Sequence, residues 1–390
     1  LDVAWAERVA AVRKHCEAGV VVSSPVNGPP VRASELIVTP NDPRFAEQWG
    51  LGFAGATGAW VTAWQVHQAG TPVLVAVVDS GVQYDHPDLA GRIAPNSTWA
   101  RCETGTCRAF VGTDALTFPT DGDGHGTHVA GIIAAATDNG IGVAGVAGDR
   151  PVQLVPVKVL DDSGAGTTDG VAAGIAWAVA KGAKVINLSV GGPTDTLTVR
   201  NAVDSAAAAG VLLVTSAGNC GGIDFYYQGC SYRNEFEYPA AYAGTAAGQG
   251  KLVPVGSIDN GGGLSSFSTQ AGFVAKSGLV APGGSILSTY RAGAYRTMSG
   301  TSMAAPHVAG AAAVILSTYP WATREQVRDA IRDGATANAT TQSNPDGYGS
   351  GRLNIDSALT LIRTMVVTPT PSATATPSAT ATPSATATPS

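Results

Sequence analysis

Three short stretches of the chain contain side chains that could together perform nucleophilic chemistry. Asp79 follows the apolar run Val73–Val78, His125 lies in a glycine-rich segment, and Ser302 lies in a small polar turn. A serine hydroxyl is a poor nucleophile unless a histidine accepts its proton, and the histidine in turn needs a carboxylate to orient it. The three residue types therefore predict that Ser302 attacks a carbonyl carbon, with His125 as general base and Asp79 as its partner.

The elements around these residues favour that interpretation. Ser302 precedes an apolar stretch that predicts a helix ending near Leu316, so its hydroxyl lies where unpaired N–H groups and the helix dipole favour negative charge. Ser302 alone could equally be an ordinary N-cap residue. The run Val73–Val78 predicts a buried parallel strand, and Asp79 at its C-terminal end lies where open α/β sheets bind ligands.

The same stretches resemble a known family of enzymes. The segments Asp79–Val82, His125–Gly131 and Gly300–His307 resemble the three signatures of the subtilases, and the order Asp, His, Ser is the subtilisin order. The resemblance covers residues 41–365 and is strongest for subtilisin-like and thermitase-like members. It implies an α/β fold of three layers, with helices on both faces of a mostly parallel sheet. It also implies a serine endopeptidase that forms an acyl-enzyme on Ser302.

The alternation of strand and helix patterns independently predicts a parallel sheet covered by helices on both faces. By resemblance, Asn219 donates its amide to the developing oxyanion together with the backbone N–H of Ser302; otherwise it is a turn residue at a strand end. Cys220 stands where subtilisin has an acidic residue near the S1 pocket, so we expect an apolar or broad P1 preference and no basic-only pocket. Two backbone edges, which could otherwise be plain turns, are implied to bind the substrate: Gly164, Ala165 and Gly166, and Ser189, Val190 and Gly191.

The resemblance also implies a structural calcium ion. Oxygen ligands of this kind and number suit Ca²⁺. The alternative is that Asp42 and Asp88 are only a cap and a turn. A second, thermitase-like site near Asp114–Asp123 is not supported, because Ala115 and Leu116 stand where acidic ligands would be needed, and the number of calcium sites stays open. The implied ligands are side-chain oxygens of Asp42, Asp88 and Asn139, and carbonyl oxygens of Ala136, Ile141 and Val143.

Composition restricts the function classes. The 390 residues carry a net charge of −6 and no basic patch, which argues against nucleic acid as a partner. No apolar run reaches the roughly 18 residues of a transmembrane helix. Two local cysteine pairs, Cys102 with Cys107 and Cys220 with Cys230, predict two disulfides and an oxidising, extracellular location, while Cys16 is left over.

The chain divides into three predicted parts. Residues 1–40 are either the remnant of an inhibitory pro-segment, which would be a partner of the enzyme, or a structural extension. Residues 41–365 form the peptidase domain, expected to be a monomer that acts on polypeptides. Residues 366–390 repeat Thr, Pro, Ser and Ala and predict a disordered linker. The alternative function is a catalytically silent module for adhesion or display, against which the complete set of catalytic residues argues.

Overall fold

The computed structural model describes residues 39–66, 70–95, 98–109, 120–222, 230–270, 278–336 and 345–366. Most of the predicted N-terminal extension and of the linker, together with Cys16, Ala115 and Leu116, lies outside these residues. The strands are β1 (Val73–Asp79), β2 (Ala100–Arg101), β3 (Arg108–Ala109), β4 (Val152–Lys158), β5 (Val185–Leu188), β6 (Leu212–Ser216), β7 (Leu252–Ile258), β8 (Leu279–Pro282), β9 (Ile286–Tyr290) and β10 (Ala294–Met298). The α-helices are α1 (Trp49–Phe53), α2 (Ala56–Val66), α3 (His125–Ala134), α4 (Thr168–Ala180), α5 (Leu197–Ala208), α6 (Thr301–Thr318), α7 (Arg324–Asp333), α8 (Pro345–Tyr348) and α9 (Ile355–Met365).

The central sheet confirms the predicted α/β class. Among the described residues it has eight strands in the order β3-β2-β4-β1-β5-β6-β7-β8, and every neighbouring pair is parallel except β2 with β3. Strand β1 lies between β4 and β5, with Asp79 opposite Lys158. Strands β2, β3 and β4 lie on one side of β1, and strands β5 to β8 lie on the other. Strand β1 therefore lies at the topological switch point of the sheet.

Side chains of β1 alternate between two cores, as the two-residue period of a strand requires. Val75 and Val77 pack in a core that includes residues of α3 and α6, whereas Ala76 and Val78 pack in a core with α4 and α5. All four side chains are fully buried. The sheet therefore forms the middle of three layers, which is why its strands are apolar on both faces.

Threonine side chains cap the N-termini of two α-helices, α4 and α7. Thr167 precedes α4 and its hydroxyl accepts from Gly170 N at 3.0 Å, which satisfies one unpaired N–H of the first turn. Thr323 precedes α7 and forms a capping box with Gln326. These caps explain why the predicted and observed helix starts agree within one or two residues.

Some elements differ from the sequence prediction. Helix α6 continues to Thr318 rather than ending near Leu316, and the hairpin of β9 and β10 and the helix α9 had no counterpart in the prediction. The two cysteine pairs form the predicted disulfides, with Cα atoms 4.1 Å and 5.9 Å apart. Of the helices in the described ranges, none has both the length and the apolar character that crossing a bilayer requires.

Candidate active site

Asp79 lies at the carboxyl end of the central strand and is inaccessible to solvent. Its Oδ1 accepts hydrogen bonds from Ser80 N at 2.7 Å and from His125 Nδ1 at 2.8 Å. Its Oδ2 is buried without a hydrogen-bond donor among the described residues. The strand therefore presents a fixed carboxylate to the imidazole.

His125 is the first residue of α3, and a second carboxylate organises the loop before it. Buried Asp121 accepts from Ser80 Oγ at 2.9 Å, from Gly124 N at 2.7 Å and from Thr127 N at 2.7 Å. These contacts tie the start of α3 to the end of β1. Sequence analysis assigned Asp121 no role, although the run Asp-Gly-Asp-Gly before His125 is a signal for such a turn.

The environment of the imidazole sets its protonation. Burial alone would lower the pKa of His125, but the charge and hydrogen bond of Asp79 and the charges of Asp123 and Asp121 raise it above its ordinary value. The side chain is 20% exposed, so it can reach a ligand in the cleft. Because Nδ1 faces a carboxylate, it carries a proton, and Nε2 is left to accept one.

Ser302 lies in the first turn of α6, after Gly300. Its backbone N–H makes no hydrogen bond with any described residue, as expected for a helix N-terminus. Its hydroxyl donates to the Ser189 carbonyl oxygen at 3.3 Å rather than to His125. Ser189 Oγ in turn donates to the Ser302 carbonyl oxygen at 2.8 Å, which connects the end of β5 to the turn that contains Ser302.

Asn219 follows β6 and contacts the same turn. Its Oδ1 accepts from Thr301 N at 3.0 Å and from Thr301 Oγ1 at 3.1 Å. An amide nitrogen cannot accept these bonds, so the contacts fix Oδ1 towards α6 and leave Nδ2 as a free donor. Asn219 therefore presents an N–H group beside that of Ser302.

Three other histidines lie among the described residues: His86 Nδ1 accepts from Asp88 N at 3.1 Å, and His128 and His307 contact backbone carbonyl oxygens. His128 Nε2 lies 3.1 Å from the Ile286 carbonyl oxygen and 2.9 Å from that of Arg296, so it donates to the β9–β10 hairpin. Burial lowers the pKa of His128 to about 4. His307 Nδ1 lies 2.9 Å from the Met303 carbonyl oxygen, and burial lowers its pKa to about 4 as well. Both rings are neutral at pH 7 and have structural contacts.

A groove of about 590 Å³ lies beside His125. An antiparallel bridge between Leu160 and Gly166 shapes one wall, and Gly192 pairs with Tyr238 on the other. All six residues expected to bind substrate line this groove: Gly164, Ala165, Gly166, Ser189, Val190 and Gly191.

The six residues expected to bind calcium lie together on a different surface. Asp42 and Asp88 are 4% and 0% exposed. Asp42 accepts from Asp138 N at 2.8 Å, and Asp88 accepts from Asn139 Nδ2 and Val143 N, both at 2.8 Å. Burial raises the pKa of Asp42 to about 6 despite these N–H groups, with a further contribution from the charge of Asp88. Burial also raises the pKa of Asp88.

This donor set fits a calcium ion. The carbonyl oxygens of Ala136, Ile141 and Val143 accept no hydrogen bond from any described residue. Asn139 Oδ1 accepts from Ile141 N at 2.8 Å, so turning Oδ1 towards Asp88 to bind an ion would require rotation of the amide and loss of that hydrogen bond. Two buried carboxylates, one amide oxygen and three free carbonyl oxygens are the hard ligands that Ca²⁺ takes, and a cation would relieve the cost of burying both charges.

Comparison with known proteins agrees with this geometry. The subtilase family model matches residues 70–351. Subtilisin DY from Bacillus licheniformis is 38% identical over 289 residues, which cover 74% of the chain and 91% of that protein. Thermitase from Thermoactinomyces vulgaris is 38% identical over 322 residues, which cover 82% of the chain and 99% of thermitase. Subtilisin E from Bacillus subtilis strain 168 is 39% identical over 289 residues, 74% of the chain and 66% of that protein. The chain therefore belongs to the subtilase family of serine endopeptidases.

Proposed function

We propose that the chain hydrolyses peptide bonds through an acyl-enzyme on Ser302, with His125 as general base and Asp79 as the group that orients it. The observation that carries this assignment is the 2.8 Å contact between His125 Nδ1 and Asp79 Oδ1 at the end of the central strand. A protonated Nδ1 leaves Nε2 available to take the Ser302 proton during attack and to return it to the leaving amine.

The hydroxyl must move before it reacts. In the absence of substrate, Ser302 Oγ donates to the Ser189 carbonyl oxygen at 3.3 Å. A bond of that length is weak, and catalytic hydrogen bonds often tighten only when substrate is present. Rotation of the Ser302 side chain towards His125 therefore precedes proton transfer. Asp79 stabilises the imidazolium that results, because its carboxylate is buried beside the ring.

Asn219 and Ser302 together form the oxyanion hole. As the carbonyl carbon becomes tetrahedral, its oxygen gains negative charge, which Asn219 Nδ2 and the Ser302 N–H stabilise. The two Thr301 contacts support this role because they hold the amide in one orientation. The charge also develops at the positive end of the α6 dipole.

An extended substrate adds its backbone to the groove edges, Gly164–Gly166 on one side and Ser189–Gly191 on the other. Small residues on these edges let a peptide backbone approach closely. The apolar or broad P1 preference expected from the sequence stays a prediction. An acidic side chain, Glu237, also lies beside Gly191 at the edge of the groove.

Calcium is proposed as a structural ion. Asp42, Asp88 and Asn139 would supply side-chain oxygens, and Ala136, Ile141 and Val143 would supply carbonyl oxygens. The ion would neutralise two buried carboxylates and brace the loop that follows α3, at whose opposite end His125 lies. It has no role in the chemical step.

The remaining proposals concern the whole chain. Residues 41–365 form the peptidase domain, 366–390 a linker, and 1–40 either a pro-segment remnant or an extension. Two disulfides support secretion, because such bonds persist in oxidising compartments. The enzyme is proposed to act as a monomer on polypeptides.

Hydrolysis of chromogenic peptides by wild type and Ser302→Ala tests the assignment. Ser299→Ala is a matched control, because Ser299 lies in the same turn but its hydroxyl accepts from Ser285 N at 2.8 Å. Loss of activity in Ser302→Ala alone supports the mechanism. A folded wild type that cleaves no peptide, even after limited proteolysis of residues 1–40, would favour the catalytically silent module.

A further inference from the structure

Glu237 lies beside both backbone segments that flank the nucleophile. A Cβ atom added at Gly191 would collide with Glu237 Oε2, and one added at Gly218 would lie 3.4 Å from Glu237 Cγ. Gly191 ends the edge that contacts Ser302, and Gly218 immediately precedes Asn219. The Glu237 side chain therefore lies between two glycine walls, next to the place where the scissile carbonyl must bind.

The backbone around Glu237 is held in position. Gly192 and Tyr238 exchange two hydrogen bonds, at 3.1 Å and 2.8 Å, immediately after Glu237. On the preceding side, buried Phe236 packs against Ala217 at the end of β6. These contacts attach Glu237 to both walls of the cleft, so its location does not depend on a free loop.

The carboxylate of Glu237 has no partner among the described residues: it takes part in none of their hydrogen bonds or ion pairs. One of its oxygens lies within 4.8 Å of the sulfurs of Cys220 and Cys230, which are bonded to each other and so are not thiolate ligands for a metal. Burial, and secondarily the charge of Glu235, raise the pKa of Glu237. A half-buried carboxylate that no described residue neutralises is costly, and a cation placed against it would remove that cost.

We propose that Glu237 forms the base of the S1 pocket and selects a lysine or arginine side chain at P1. This inference rests on the proposed function, since it places the P1 residue next to Ser302. Because Gly191 and Gly218 have no side chains, Glu237 has room beside the edge of the substrate groove, and a long unbranched P1 side chain can bring its charged end to this carboxylate. Arg233 forms no ion pair with Glu237 and does not contribute to its pKa shift; its Nε donates to the Gly221 carbonyl oxygen at 2.7 Å.

The inference departs from the apolar or broad preference expected from the sequence. That expectation considered the residue after Asn219, where Cys220 is neutral. Glu237 comes later in the chain, after Cys230, which is bonded to Cys220. The acidic group reaches the pocket from a different segment.

The test compares wild type, Glu237→Gln and Glu235→Gln on peptides that differ only at P1, as arginine, lysine, leucine or phenylalanine. Wild type is expected to show its highest kcat/KM with arginine and lysine. Because a hydrogen bond to a charged group is lost, Glu237→Gln should lower kcat/KM for these two substrates by roughly 10- to 100-fold. Cleavage after leucine and phenylalanine should not fall. Glu235→Gln, whose parent side chain accepts from Ser231 N, should resemble wild type.

A second measurement needs no variant. Benzamidine, a small planar cation, should inhibit wild type competitively, and mass spectrometry of an unfolded polypeptide digest should find cuts after lysine and arginine. Cuts mainly after apolar residues, or equal loss for all four peptides in Glu237→Gln, would overturn the inference while leaving the serine mechanism intact. Absence of all cleavage by folded wild type would instead overturn the proposed function, and this inference with it.

Discussion

Replacement of Asn219 by alanine should lower kcat by roughly 10²–10³-fold, the size known for the corresponding donor of subtilisin. The structural reason is the fixed amide: Oδ1 accepts from Thr301 N at 3.0 Å and from Thr301 Oγ1 at 3.1 Å. Nδ2 is the group left for the oxyanion, and alanine has nothing to replace it. Since the charge it stabilises develops during the reaction, KM should change little.

The same geometry predicts a smaller effect one residue before the nucleophile. Thr301→Val removes one of the two donors to Asn219 and also the oxygen that accepts from Gly218 N at 3.2 Å. One hydrogen bond of about 1 kcal/mol corresponds to roughly a fivefold fall in kcat through poorer positioning of the amide. Thr301→Ser keeps the hydroxyl and should retain nearly all of the activity.

Steady-state hydrolysis of a peptide p-nitroanilide separates kcat from KM for each variant, and thermal melting shows whether it is folded. The expected order of kcat is wild type and Thr301→Ser, then Thr301→Val, then Asn219→Ala. The reasoning would be refuted by a folded Asn219→Ala enzyme with kcat within threefold of wild type. It would equally be refuted if KM rose by as much as kcat/KM fell, because that would show uniform binding.

Three further predictions concern pH, calcium and packing. The proposed general base is neutral His125, whose pKa is raised, so kcat/KM should rise with pH through a midpoint above the ordinary histidine pKa. Asp123→Asn removes one of the negative charges that raise the pKa of His125 and should move that midpoint to lower pH. The pKa of Asp42 is about 6 in the folded protein, above its unfolded value. Without calcium, the melting temperature should therefore fall as pH rises from about 4 to 6. Saturating calcium should abolish this fall. Gly310→Ala would place Cβ 2.6 Å from Val146 Cβ in the core under α6, and should destabilise the protein by about 1–3 kcal/mol in denaturant unfolding.

Each of these has its own control. An unshifted midpoint in Asp123→Asn would contradict the electrostatic account, because asparagine can still accept from His125 N through its amide oxygen. Asp42→Asn, measured in chelator, should flatten the melting temperature between pH 4 and pH 6. Gly52→Ala, on a helix position with no atom within 4 Å of the added Cβ, should change stability far less than Gly310→Ala.

The sequence alone predicts the candidate nucleophile, its base, its carboxylate and the layered α/β class. Each candidate lies at the end of a strand or the start of a helix, and such ends are recognisable from local patterns: the valine run before Asp79 and the apolar helix after Ser302. Hydrophobic periodicity is a property of residues close together in the chain, so it can be recognised without knowledge of the fold. The two cysteine pairs were predictable for the same reason, because their partners are close in the chain.

The distant groups that surround those residues could not be predicted from the sequence, because folding brings them together. The pairing of His128 with the β9–β10 hairpin, the contacts of Asp121 with Ser80, and the position of Glu237 between Gly191 and Gly218 all join segments with no common local pattern. The register between strands, and the position of a residue that follows a loop, depend on packing of the whole core. A short stretch of sequence does not contain that information. The candidate catalytic residues could therefore be predicted from the sequence. The charges around the cleft, on which the proposed P1 preference depends, could be described only from the folded structure.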